Sequence, residues 1–338
     1  MQGQAIGLLL LGCLFLSSMQ IVKRFILKSG SIKPTRFLAW QMFLAAAMYA
    51  GLYLVVWGWR LPSLAPKFWL AVALASAANV IIQYLNAKAA TLEQGEVSLM
   101  APLQAMTPGM ITLLAITIGE LPGLLGWLGI LCMAAGSYYI MWPRQKEFWY
   151  DRIGPVYRLR LLFRLRTLDP VERGRTIAVC LGLASATCGT FGLLFESLYA
   201  RRAGSLQGIV LGSLTFSLIL GVVFTIPRFF TSKPVEPTNT SKISRRFFLG
   251  MTVMGFLWVG HQVCIQPAFL HLLTSYVGTL KRLSIILSVV LGIVLFHEGK
   301  DQLKNRLWAA ILITLGSILI SWDGITNTLT NTFERFGL

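Results

Sequence analysis

Gly95-Glu-Val-Ser-Leu-Met-Ala-Pro-Leu-Gln-Ala-Met-Thr-Pro108 opens an apolar run that closes on Ile118-Gly-Glu120, and Gly278-Thr-Leu-Lys-Arg282 opens another that closes on Phe296-His-Glu298. Each run ends on an acid, makes a short polar turn and leads into a second apolar span. Those second spans close on small residues, Gly129 and Ala135-Gly136 in one case and Leu315-Gly316 in the other. The chain states one plan twice. Working outward, ten stretches approach the roughly 20 apolar residues that a helix needs to cross a hydrocarbon core about 30 Å thick. They are 5–22, 37–57, 68–86, 97–118, 124–142, 176–196, 205–226, 247–266, 275–296 and 305–322. Helices are expected because a spanning segment has to satisfy its own backbone; strands of about ten alternating residues are not found.

The expected fold class is therefore an all-α membrane protein of ten transmembrane helices in two inverted five-helix repeats. Residues 1–142 form the first repeat, 143–175 a basic linker, 176–322 the second repeat and 323–338 a C-terminal tail. An odd number of spans per half turns the second repeat upside down relative to the first. Inverted repeats recur in transporters, with substrate bound near the midplane between the halves.

Composition agrees. Of 338 residues, 55% are hydrophobic and 13% charged, about half the charged share of a soluble domain. The net charge of +17 does not mark a nucleic-acid binder. Lys and Arg fall almost entirely between apolar runs, where they meet anionic headgroups and fix orientation. The densest segment, 143–175, carries nine of them, and Arg158-Leu-Arg-Leu-Leu-Phe-Arg-Leu-Arg166 interleaves cations with apolar side chains. It is expected to lie on anionic lipid, with a solvated linker as the alternative. The N-terminal run 5–16 lacks a basic leader region and reads as a retained first helix. Cys13, Cys132, Cys180, Cys188 and Cys264 all sit in apolar stretches without metal-ligand spacing. They read as small thiols in helix interfaces; no metal and no cofactor are expected.

The two repeat stretches resemble the repeat of the EamA-type drug/metabolite transporter superfamily, best over 70–142 and 247–322. In the opening spans the Trp-Gly and second-span Arg common in that family are absent; Gly12-Cys13 and Gln41-Met42 stand there instead. The resemblance implies ten helices around a central cavity, alternating access and both termini in the cytoplasm. It leaves the substrate open among amino acids, nucleosides, sugars, drugs and phosphorylated metabolites. Charge points the other way on orientation. With ten spans, twenty-three Lys/Arg fall on one side and five on the other, which places both termini outside.

Lys281 and Arg282 are the sharpest polar feature, about 10 Å along the helix from the start of the ninth span with Leu and Ile on both sides. Charges at that depth face a cavity or a partner. The pair is similar to the Lys-Arg pair that holds phosphate in the plastid phosphate-translocator branch of the superfamily, which implies an anionic or phosphorylated substrate. Snorkelling, or pairing with Glu196, is the structural alternative. Gln104 falls near the pseudo-symmetric position, between Pro102 and Pro108. His261 and Gln262 in the eighth span correspond to Gln83 in the third, with Asn79 one turn before it. All are candidate substrate contacts. Glu196 and His261 are candidates for ion coupling, the latter because imidazole titrates near neutral pH. Glu120 and Glu298 read as hairpin residues.

No GxSxG, HExxH or Walker loop is present, so enzymatic chemistry is not expected. The function expected is secondary transport, export or exchange, of a small polar metabolite in a plasma or inner membrane. The alternative is a lipid-interacting, flippase-like subunit or a membrane scaffold. The expected partners are a small-molecule substrate and membrane lipid, with anionic headgroups at 143–175.

Overall fold

A computed structural model describes residues 2–28, 34–92, 123–140, 167–226, 245–270, 284–296 and 307–316, with scattered single residues between them. Among the described residues every regular element is helical. In chain order they are α1 Gln2–Lys28, α2 Pro34–Trp57, α3 Pro66–Thr91, α4 Leu124–Ile140, α5 Pro170–Ala203, α6 Leu206–Thr225, α7 Arg245–Ile265, α8 Ser284–Phe296 and α9 Leu307–Gly316. Six of them, α1, α2, α3, α5, α6 and α7 with its extension to Leu270, are long and apolar enough to cross a bilayer. Large apolar side chains cover their outer faces: Phe25, Val55, Leu70 and Phe248 are all exposed. Such a surface suits hydrocarbon rather than water, and the chain is a multi-pass membrane protein. The expected span 97–118 lies almost wholly outside the described residues.

The helices overrun the apolar pattern in two places that matter. The first continues past Val22 to Lys28, so Lys23 and Arg24 belong to α1 although they follow the expected span 5–22. The sixth span begins at Pro170, inside the expected linker. The Asp169 side chain accepts from the Val171 N–H at 3.2 Å, and Pro170 occupies the first helical position, where its missing N–H costs nothing. Most of the basic segment's cations, including Arg158, Arg160 and Arg166, lie outside the described residues. α5 and α6 are joined by Gly204 and Ser205. Gly204 adopts φ +62°, a left-handed conformation open to glycine, and Ser205 caps α6 by accepting from the Gly208 N–H at 3.1 Å.

The chain divides into two compact units. One contains residues 1–91 and 191–271, that is α1, α2, α3, the end of α5, α6 and α7. Here α2 packs along α6 and α1 along α7. Phe37, Met42, Tyr49, Phe68, Tyr199 and Leu220 fill the core. The other unit contains 92–190 and 272–338. Its core joins α4 and α9 through Met133, Ala310 and Ile313, with Ile130, Ile293 and Leu307 packed against them.

Candidate functional site

The first unit buries an unusual number of polar side chains. Lys23, Asn79, Gln83, Glu196, Gln262 and Gln266 are each no more than 7% exposed, although they sit in helices whose outer faces are apolar. Groups removed from water in this way have to find partners. They find each other.

Glu196 is the centre. It lies two turns before the end of α5, which runs on to Ala203. Asn79 Nδ2 donates to Glu196 Oε1 at 2.9 Å, and Gln266 Nε2 reaches Oε2 at 3.5 Å. The same Gln266 amide donates to Gln262 Oε1 at 2.8 Å. One turn along α3 from Asn79, on the same helix face, Gln83 Oε1 accepts from Lys23 Nζ at 3.2 Å. Gln262, Gln266, Glu196, Asn79, Gln83 and Lys23 thus form a polar file contributed by α7 and its extension, α5, α3 and α1. Arg24, next to Lys23 and equally buried, donates to the Ala90 carbonyl at 2.6 Å near the end of α3.

Each position follows from helical spacing. Asn79 and Gln83 are four residues apart, as are Gln262 and Gln266, so each pair shares a face. Gln266 opens a five-residue 3-10 turn, Gln266–Leu270, in which Pro267 cannot continue the α-helical ladder. Tyr49 and Tyr199 are fully buried nearby and within electrostatic reach of Glu196. The Tyr199 hydroxyl lies 3.5 Å from Ser213 Oγ.

The expected site residues divide between the units. Asn79, Gln83, Glu196 and Gln262 come together in the file. His261 is buried beside them but turns to α1, where its Nδ1–H donates to the Gly12 carbonyl at 3.0 Å. Gly12 makes that approach possible, since a side chain there would strike Ile265. Lys281 belongs to the second unit, half-buried in a 3-10 turn, with its carbonyl accepting from the Ser284 hydroxyl at 2.7 Å. Gln104 and Arg282 lie outside the described residues, as do Glu120 and Glu298.

Lys23 and Gln266 are functional candidates that sequence reasoning missed. Lys23 stands one residue beyond the first apolar run, where it looks like a loop cation. Gln266 precedes a proline at the end of a span and looks like a turn residue. The available signal was the Gln262–Gln266 pair, two amides on one helix face immediately before that proline. Among the described residues no group of three His, Cys, Asp or Glu is placed to hold a metal ion. None of the five cysteines is joined in a disulfide, and Cys13 and Cys264 are buried.

No family model and no curated protein matches this chain. A solved structure described only as "Crystal structure of protein" is similar over 95% of this chain and 98% of its own, with a TM-score of 0.61 and 13% sequence identity. At that identity the likeness is one of fold and carries no activity with it.

Proposed function

We propose that the protein is a secondary transporter for a small polar metabolite, built as two inverted five-helix repeats and working by alternating access. The observation that carries the reading is Glu196. It is a carboxylate buried in a membrane-crossing helix, and the hydrogen bonds that reach its oxygens come from neutral amides. Ionisable groups at such positions are costly, and they mark substrate or ion pathways. A buried Lys23 in the same file strengthens the point, because a purely structural bundle gains little from two desolvated charges of opposite sign that are not paired with one another.

Two further observations support the repeat plan. The division of the chain takes corresponding segments from each half. The first unit joins the opening three spans to the end of the sixth and the seventh and eighth; the second unit holds α4, α8 and α9. The paired sequence stretches resemble EamA-type transporters in the same two places. No ATP-binding motif is present in the sequence, so the drive is an ion or solute gradient, with Glu196 as the coupling carboxylate. The substrate contacts assigned in the first unit are Asn79, Gln83, Gln262 and His261; Lys281, Arg282 and Gln104 stay candidates on the sequence alone. The charged pair suits an anionic or phosphorylated solute through a bidentate guanidinium and a point-charge ammonium.

The test is flux. Purified protein would first be screened against metabolite classes by thermal stabilisation, since a ligand bound only to the folded state raises apparent stability by mass action. Hits would then be measured in proteoliposomes with wild type, Glu196→Gln and Lys281→Ala. Saturable flux of a stabilising solute, lost in Glu196→Gln, supports the reading. A well-folded protein that moves none of its stabilising ligands overturns it.

A further inference from the structure

Three features of Glu196 and the end of α7 favour positive charge. The first is the carboxylate itself, 5% exposed. Second, Gln266 is completely buried, and its Oε1 has no hydrogen-bond partner although its Nε2 has two. An orphaned carbonyl oxygen in a dry interior is costly and calls for explanation. Third, α7 ends at Ile265 immediately beside it. A helix C-terminus presents carbonyl oxygens and the negative end of the helix dipole, and Pro267 removes an N–H that would have satisfied one of them. Helix C-terminal ends in membrane carriers coordinate small cations together with backbone carbonyls.

The amides around Glu196 are held with their N–H groups toward its oxygens. Asn79 uses one N–H on Glu196 Oε1 and donates to the Ala75 carbonyl of its own helix at 3.0 Å, so its amide cannot turn over without losing that bond. Gln266 is held in the same sense by Gln262 Oε1. Both carboxylate oxygens therefore accept from N–H donors. A carboxylate buried in such a place, in its ionised form, is stabilised by a counter-cation. Lys23 serves Gln83 instead, and Arg201 is an exposed residue whose Nε donates to the Phe269 carbonyl at 3.4 Å. Tyr49 and Tyr199 bring no positive charge.

We infer that Glu196, Gln266 Oε1 and the carbonyl end of α7 form a site for one monovalent inorganic cation of the Na+ type. A single carboxylate and neutral oxygens match a single charge; divalent cations draw on more acidic ligands than the described residues bring together. The inference rests on the transporter reading only in naming what the ion drives, and occupancy can be measured without flux.

The experiment uses the full chain in detergent, with melting followed in NaCl, KCl and choline chloride at equal ionic strength, and with 22Na+ bound at equilibrium. The expected result is a melting temperature several degrees higher in NaCl than in choline chloride, and one 22Na+ per chain displaced by excess unlabelled Na+. Glu196→Gln and Gln266→Met should each lower 22Na+ binding at least tenfold. Binding to wild type stands on its own if either variant fails to fold. Folded wild type that binds no 22Na+ and melts alike in all three salts overturns the site, as does stabilisation that follows pH alone. Binding without flux would retain the site and remove the transporter, whereas flux without Na+ binding would do the reverse.

Discussion

Asn79 Nδ2 lies 2.9 Å from Glu196 Oε1, joining the middle of α3 to α5 across 117 positions of sequence. The second N–H of the same amide is held by Ala75 O, so the carboxylate is met in one orientation. Replacing Asn79 by Leu keeps the volume and removes the donor. Leaving a buried acceptor short of a partner costs about 1–3 kcal/mol, more for a charged one. Asn79→Leu should therefore melt several degrees below wild type in detergent. Asn79→Leu combined with Glu196→Gln should melt above Asn79→Leu alone, because the charge needing the donor is gone. A double variant that simply adds the two losses would place Asn79 outside the network.

The Lys23–Gln83 bond gives a second cycle within the same unit. Lys23 is 3% exposed and its ammonium reaches Gln83 Oε1 at 3.2 Å. Hydrogen bonds to charged groups contribute about 1.5–3 kcal/mol, and Gln83→Leu should lose that amount by stranding the ammonium. Lys23→Met retains the stem's packing without the charge. The pair Lys23→Met with Gln83→Leu should recover most of the lost melting temperature. If Gln83→Leu is neutral, Lys23 draws its stabilisation from elsewhere in the bundle.

These two cycles show where the sequence was legible. Asn79, Gln83, Gln262 and Glu196 stand out because each is a polar side chain inside an apolar run, and the expense of burying it is visible without coordinates. Lys23 and Gln266 do not stand out. Hydropathy ends a helix where the apolar residues end, yet a helix ends where its backbone bonds end, and α1 carries Lys23 inside by running on to Lys28. The pairing of Asn79 with Glu196 depends on which helices are neighbours, and no local pattern specifies that. The small-residue faces are the opposite case. Gly129, Gly136 and Gly316 are legible as packing positions, and the second unit does bring α4 and α9 together there.

Orientation can be decided at the two ends of α2. Arg36 and Arg60 are both exposed, one in the first turn of the helix and the other just beyond its end. The positive-inside rule puts the Arg36 end in the cytoplasm, since its side of the chain holds most of the Lys and Arg. In a background with Cys132, Cys180 and Cys188 changed to Ser, Arg60→Cys should react with an impermeant maleimide on intact cells. Arg36→Cys should react only after permeabilisation. The reverse pattern would establish the cytoplasmic termini that the EamA resemblance implies.

The α4–α9 crossing yields a prediction free of any functional assumption. A Cβ added at Gly316 would run into the Gly129 carbonyl oxygen and would also stand 2.9 Å from the Met133 backbone nitrogen. Backbone atoms cannot step aside as a side-chain tip can, so the helices have to move apart. Gly136 makes the reciprocal contact, since a Cβ there would stand 2.9 Å from the Ala309 carbonyl oxygen. Membrane helices associate through close packing rather than through expulsion of water, and small residues permit that approach. Overpacking of this kind costs about 1–3 kcal/mol. Gly316→Ala and Gly136→Ala should each lower the melting temperature by several degrees. Gly51→Ala in α2, where an added Cβ meets nothing within 4 Å, should leave it unchanged. Because the two glycines serve one contact, the double variant should lose less than the sum of the singles: once the helices have separated for the first methyl, the second finds room already made. Equal losses at Gly51 and Gly316 would mean that α4 and α9 do not meet at backbone distance, and the small-residue faces of the two repeats would then need another explanation.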